Sequence, residues 1–224
     1  MIQVLAFVVA IGLVLIVIRQ CRRPFGFVGR FFVWQMNFTH SSLTDWGLAH
    51  VSIEPRSTVL DVGCGGGRTV QKLAAAAREG RVFGVDYSRQ SVAASRSRNA
   101  RAIAEGQVEI REASVARLPF DDSTFDVVTA VETHYYWPDL ESNLREILRV
   151  LKPGGRVALV AEVYRRGRSD VVQTLIMKPL GGKVLSADEH RDVLRRAGYA
   201  DVEVDEQDRK GWICAVARRP VRQP

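Results

Sequence analysis

Residues 59–70 read "VLDVGCGGGRTV". An apolar, β-branched run ends at Asp61 and passes at once into residues 63–67, four of which are glycine. A plain tight turn between a strand and a helix needs one glycine. Several in a row let the backbone take left-handed dihedrals and let a ligand approach it closely. The spacing also limits which ligand this is. A dinucleotide fingerprint, G-x-G-x-x-G, needs its third glycine at position 68, which is Arg68. The chain instead carries D-x-G-x-G-x-G, with Asp61, Gly63, Gly65 and Gly67. Cys64 lies inside the loop and reads as a small packing side chain beside the bound group.

Downstream, strand-like and helix-like segments alternate. "STVLDVG", "RVFGVDY", "VEIREA", "FDVVTAVE" and "RVALVAE" are β-branched apolar runs. Between them lie "RTVQKLAAAAREG", a stretch from Ser88 to about residue 104, and "DLESNLREILRVL", whose leucines and isoleucine fall on one helical face before "KPGG" stops it. Strands linked by crossovers of that length form a mainly parallel sheet with helices on both faces. After a loop at 163–185 comes a helix, "ADEHRDVLRRAGY". Two further strands, "DVEVDEQ" and "GWICAVAR", are joined by a connection too short for a crossover, so they must pair antiparallel. The expectation is an α/β, Rossmann-like sheet of seven strands with an antiparallel last strand.

The N-terminus differs in kind. In residues 1–18 only Gln3 and Gly12 interrupt an uncharged apolar run. As a helix it reaches about 27 Å, enough for a bilayer core. It lacks the basic start and small-residue cleavage site of a secretory signal. We read it as an uncleaved transmembrane anchor, against the alternative of a buried core helix. Arg19, Arg22, Arg23 and Arg30 follow with no acid before Thr44, so the positive-inside rule leaves the rest of the chain in the cytoplasm. Residues 19–50 form a juxtamembrane or lid segment, and 51–224 the folded domain. This placement accounts for part of the net charge of +7, and no nucleic-acid-binding motif accompanies the charge. The three cysteines and four histidines are dispersed, without the spacing of a metal site.

In an open α/β sheet, ligands bind beyond the carboxyl ends of the strands at the switch point. The second strand ends there in Asp86, an acid placed to accept from a ribose diol, although it could also cap the helix that follows. The ordered set "VLDVGCGGG", "VFGVDYS", "LPFDDSTFDVV" and "ILRVLKPGGRVAL" resembles the class I S-adenosylmethionine-dependent methyltransferases over residues 50–218. The resemblance implies S-adenosylmethionine as cofactor and S-adenosylhomocysteine as product. It implies that Asp61, Gly63, Gly65 and Gly67 flank the methionine part, that Asp86 takes the ribose hydroxyls and that Tyr87 lies beside the adenine. Relatives carry an aspartate four residues before "LPF"; here Ser114 stands in that place, with the Val115 amide beside it. Val131 and Glu132 fall where the methionyl group and sulfonium lie.

The segment "VETHYYWPDL" then enters acceptor territory with His134, Tyr135, Tyr136 and Trp137. His134 could act as general base if the acceptor carries a proton, or be a surface residue preceding a helix. The aromatic rings could wall an acceptor or pack the core. Phe31, Phe32, Trp34, Phe38 and Trp46, with His40 among them, suit a lid or a lipid-facing belt, and His40 is a further catalytic candidate. The expected partner is a small, lipophilic acceptor close to the membrane. A soluble thiol or polar metabolite is the runner-up, and a cofactor-binding membrane adaptor without activity the third reading.

Overall fold

The computed structural model describes residues 41–167, Met177 and 181–221. The anchor read into residues 1–18 lies outside them, as do Phe31, Phe32, Trp34, Phe38 and His40. Among the described residues no helix is long and apolar enough to cross a membrane.

The described elements begin with α1 (Ser41–Leu48) and then alternate: β1 (Thr58–Val62), α2 (Arg68–Ala76), β2 (Arg81–Asp86), α3 (Arg89–Arg98), α4 (Ala100–Ala104), β3 (Val108–Glu112), β4 (Phe125–Val131), α5 (Leu140–Val150), β5 (Leu151–Ala161), α6 (Ala187–Arg196), β6 (Ala200–Gln207) and β7 (Trp212–Arg218). The seven strands form one sheet in the order β3-β2-β1-β4-β5-β7-β6. The first five are parallel, and β7 runs antiparallel to both β5 and β6.

Side chains alternate between two cores because successive Cβ atoms leave a strand on opposite faces. Leu60, Val62, Val128 and Ala130 join Leu144 and Ile147 of α5 and Leu194 of α6 on one face. Val59, Val82 and Val127 join Leu43 of α1, Leu73 of α2 and Val92 of α3 on the other. Burial on both faces explains why these strands read as continuous apolar runs.

Two local differences from the sequence reading have causes. The expected single helix from Ser88 to about 104 breaks at Asn99, whose side-chain amide donates to the Ser95 carbonyl and to that of Gly67. Bonding the glycine loop takes precedence over continuing the helix. At "KPGG" no loop separates helix from strand. β5 starts at Leu151, opposite Phe125, and a bulge that includes Gly154 at φ +80° carries the pairing to Arg156 opposite Val127.

Candidate active site

β1 pairs with β2 on one side and β4 on the other, so the sheet reverses its order at β1. The glycine loop leaves β1 at this switch point and is pinned to the end of β2: Gly63 N and Cys64 N both donate to the Val85 carbonyl, at 2.8 and 2.9 Å. Gly63, Gly65 and Gly67 all have positive φ. Their surroundings separate them. A Cβ on Gly63 would collide with the Thr133 side chain, and one on Gly67 would lie 2.5 Å from Asn99 Nδ2 and Ser95 Oγ. One on Gly65 would meet nothing nearer than the Gly63 carbonyl at 4.0 Å. The protein itself needs the first and third glycines bare. The middle one borders open space, where a ligand can approach the backbone.

Asp86 ends β2 and is 8% exposed. Its Oδ1 accepts from Ser88 N at 2.8 Å and its Oδ2 from Gly65 N at 3.0 Å. The Ser91 side chain is a third donor to this carboxylate, so a ribose hydroxyl would join or displace donors already in place. Burial raises its pKa against the lowering effect of those amides and of the Ser91 side chain. The helix after it is capped by Ser88, which accepts from Ser91 N, so the capping role weighed for Asp86 falls to its neighbour. Asp61, one step inside β1, is 2% exposed and accepts from the Thr129 hydroxyl at 2.7 Å. Burial pushes its carboxyl up to about 7, opposed by the Thr129 hydrogen bond and reinforced by the charge of Asp86.

The remaining candidates divide. Tyr87 is 46% exposed beside Asp86. Ser114 is exposed in a loop tied to the same place by Ala113 N, which donates to the Asp86 carbonyl at 3.0 Å. The Ser114 hydroxyl accepts from Ala116 N, and Val115 is buried. The Cys64 thiol turns inward against Ser95 and Gly84, which leaves only its backbone on the loop. Burial holds its pKa well above the ordinary thiol value.

Val131 closes β4, and Glu132 follows in the left-handed region at φ +56°, sparsely populated for a residue with a side chain. Its amide donates to the Val160 carbonyl. Its carboxylate is gripped from two sides, by Glu162 N at 2.5 Å and by the Tyr135 hydroxyl at 2.8 Å. The chain then makes a 3₁₀ turn over His134–Tyr136. Tyr136 is half-buried with its ring 4.6 Å from that of Tyr135.

Two alternatives left open by the sequence are narrowed in this turn. His134 is no surface residue preceding a helix: it is 2% exposed, with Nε2 3.0 Å from Nε2 of His190 on α6. Trp137 takes the core-packing alternative, buried in the cluster that includes residues of α5. From the N-terminal segment, α1 lies over β5 and β7, with Gly47 against Val160 and the Cys214 thiol donating to the Gly47 carbonyl. Trp46 packs on Trp212, 5.9 Å between centroids. The start of α1 meets the start of α2, where Lys72 donates to the Ser41 carbonyl and pairs with Asp45.

Sequence reading missed Thr129, Thr133, Asn99 and His190. No local pattern marks them, because their partners lie tens of residues away.

Comparison with known proteins settles the family. Residues 60–159 match the model of a methyltransferase domain. The chain is 30% identical over 194 residues to the 27-O-demethylrifamycin SV methyltransferase of Amycolatopsis mediterranei, covering 79% of this chain and 67% of that one. The chain belongs to the class I S-adenosylmethionine-dependent methyltransferases. The demethylmenaquinone methyltransferase of Bacillus mycoides is 35% identical over 108 residues, 48% of this chain and 45% of that one. Against several curated methyltransferase relatives the chain spans about half their length. The same fold occurs in the geranyl diphosphate C-methyltransferase of Streptomyces coelicolor, solved with S-adenosylhomocysteine, at TM-score 0.70 and 18% identity over 80% of this chain and 76% of that one. The cofactor of this methyltransferase family is S-adenosylmethionine, and the bare Gly65 with the buried Asp86 acceptor fits it.

Proposed function

We propose that this chain is a membrane-anchored S-adenosylmethionine-dependent methyltransferase acting on a small lipophilic acceptor at the cytoplasmic face. The observation that carries the reading is the pairing of Asp86 with Gly65: a buried carboxylate at the end of β2, tied to a loop glycine that borders open space. In this reading Asp86 takes the ribose hydroxyls, and Tyr87, Ser114 and the Val115 backbone border the adenine. Asp61 and the glycines hold the methionine part, with Val131 and Glu132 beside the sulfonium. When bound, the cofactor supplies an electrophilic methyl on a positively charged sulfur. The chain's own contribution is alignment and exclusion of water, since in-line displacement at carbon needs no covalent help. The doubly held carboxylate of Glu132 suits a neighbouring positive charge, and the tyrosine rings of 135 and 136 add polarisable faces.

The apolar 1–18 segment and the arginines behind it support the anchor and its orientation. An anchored site favours an acceptor dissolved in the bilayer, in keeping with relatives named for demethylrifamycin and demethylmenaquinone. The test is incubation of the full chain with methyl-labelled cofactor and either a membrane lipid extract or a soluble extract. Label in a lipid-extractable product is expected. Label only with the soluble extract would replace the lipophilic acceptor by a polar one. Failure to bind S-adenosylhomocysteine in calorimetry would remove the reading altogether.

A further inference from the structure

His134 and His190 are 2% and 1% exposed, and their Nε2 atoms lie 3.0 Å apart. This contact joins the turn that leaves β4 to α6. His190 Nδ1 lies 2.8 Å from the Ser186 carbonyl, which can only accept, so that nitrogen carries a proton. In the neutral ring Nε2 of His190 is then bare, and the single proton between the rings is on His134 Nε2. Nδ1 of His134 is buried and has no hydrogen-bond partner. The closed pair has no good place for another proton. On His134 Nδ1 it would create a buried charge whose N–H lacks an acceptor. On His190 Nε2 it would set two N–H groups head to head across 3.0 Å.

We propose that the pair is an acid-operated latch: in mild acid α6 and the turn over His134–Tyr136 part locally, while the β1 and β2 side of the sheet stays closed. Apart, each ring meets water and takes up a proton below about pH 6.5; together, neither does. Burial lowers the pKa of both rings, and that of His134 further because His190 faces it; for His190 the Ser186 carbonyl and Glu189 oppose the effect. With both values depressed, the contact is at full strength above about pH 6.5 and weakens as pH falls. Each proton taken up only by the open form shifts the equilibrium by up to about tenfold per pH unit.

The neighbouring charges do not titrate in its place. Burial acts to raise the Glu189 carboxyl, but the Ser186 amide and Arg165 hold it below the ordinary glutamate value. Asp188 and Arg191, also on α6, pair with each other. On the turn, burial keeps the Tyr135 hydroxyl well above the ordinary tyrosine value, with Tyr136 and Glu162 adding to the effect. Glu132 is held by that hydroxyl and by the Glu162 amide, and the Lys183 amide donates to the Tyr135 carbonyl. Parting the turn from α6 disturbs the Tyr135–Glu132 bond, so in the reading proposed above acid disables the acceptor side first. The latch itself does not depend on that reading.

The test is amide hydrogen exchange of the full chain in detergent, read by mass spectrometry and corrected for the intrinsic pH dependence of exchange. Between about pH 6 and pH 5, peptides covering the turn and α6 should open more than tenfold more readily per pH unit, the mark of two protons rather than one. Peptides of β1 and β2 should stay protected. His190→Gln keeps an oxygen that can accept from His134 Nε2 and leaves one titrating ring, so its rise should not exceed about tenfold per unit. A wild-type rise of tenfold or less, or one shared equally by β1 and β2, would overturn the proposal. So would a slope as steep in His190→Gln as in the wild type. If that variant does not fold, the wild-type slope alone decides.

Discussion

Asp61→Asn isolates the burial of one carboxylate. In the folded protein its carboxyl titrates at about 7, against an ordinary 3.8. Between those values the folded state holds a proton that the unfolded chain has released, so stability falls as pH rises, the reverse of a salt-bridged aspartate. At ~1.4 kcal/mol per pH unit the full interval amounts to roughly 4 kcal/mol, and the part lost between about pH 5 and pH 8 to roughly 2.5 kcal/mol. Asparagine keeps an oxygen for the Thr129 hydroxyl but has nothing to ionise. The variant should therefore lack that share of the pH dependence, so that its melting temperature gains ~5–10 °C on the wild type between about pH 5 and pH 8 for a domain of this size. Thermal melts of wild type and variant in detergent at the two pH values measure it. In the proposed reading the same carboxylate takes part in cofactor capture. If the ligand ammonium sits against Asp61, binding S-adenosylhomocysteine near neutral pH releases a proton, seen as a heat that changes with the ionisation enthalpy of the buffer. Parallel pH slopes for wild type and Asp61→Asn would refute the buried-charge argument. A buffer-independent heat would refute the ammonium contact.

Asp86→Ala should remove the acceptor of the ribose diol and weaken S-adenosylhomocysteine binding by about 1.5–3 kcal/mol per lost hydrogen bond, read by calorimetric titration; wild-type affinity would refute the assignment. Gly67→Ala, at φ +78° with its Cβ 2.5 Å from Asn99 and Ser95, should lose more than ~2 kcal/mol of stability in urea unfolding. Gly65→Ala should lose only about 1–2 kcal/mol from its backbone conformation yet bind S-adenosylhomocysteine poorly, because the new methyl enters the ligand's space. Equal stability losses in the two variants would contradict the distinction. Tyr136→Ala should raise the KM for acceptor while leaving cofactor affinity within about twofold in steady-state kinetics. Removing residues 1–23 should move the protein from the membrane pellet to the soluble fraction with S-adenosylhomocysteine binding retained, and a truncated chain that cannot fold would refute the anchor.

What the sequence by itself determined is the part of this protein written in short-range pattern. The β-branched runs, the glycine spacing from Asp61 to Gly67 and the acid at the end of the second strand specify a parallel sheet with a ligand edge, because strand burial and left-handed turns depend on neighbours along the chain. The antiparallel pairing of the last two strands followed from the length of their connection. The tertiary structure alone decided where partners distant in sequence meet. It put β7, buried along its length, between β5 and the half-exposed edge strand β6. It divided the glycines, since Thr133 and Asn99 reach the loop from 70 and 32 residues beyond Gly63 and Gly67. It turned Trp137 inward and buried His134 against His190, which lies 56 residues further along the chain. Periodicity tells which face of an element is covered but not by what. A histidine's chemistry depends on the group that occupies its other nitrogen, and for His134 the fold supplied that group from α6.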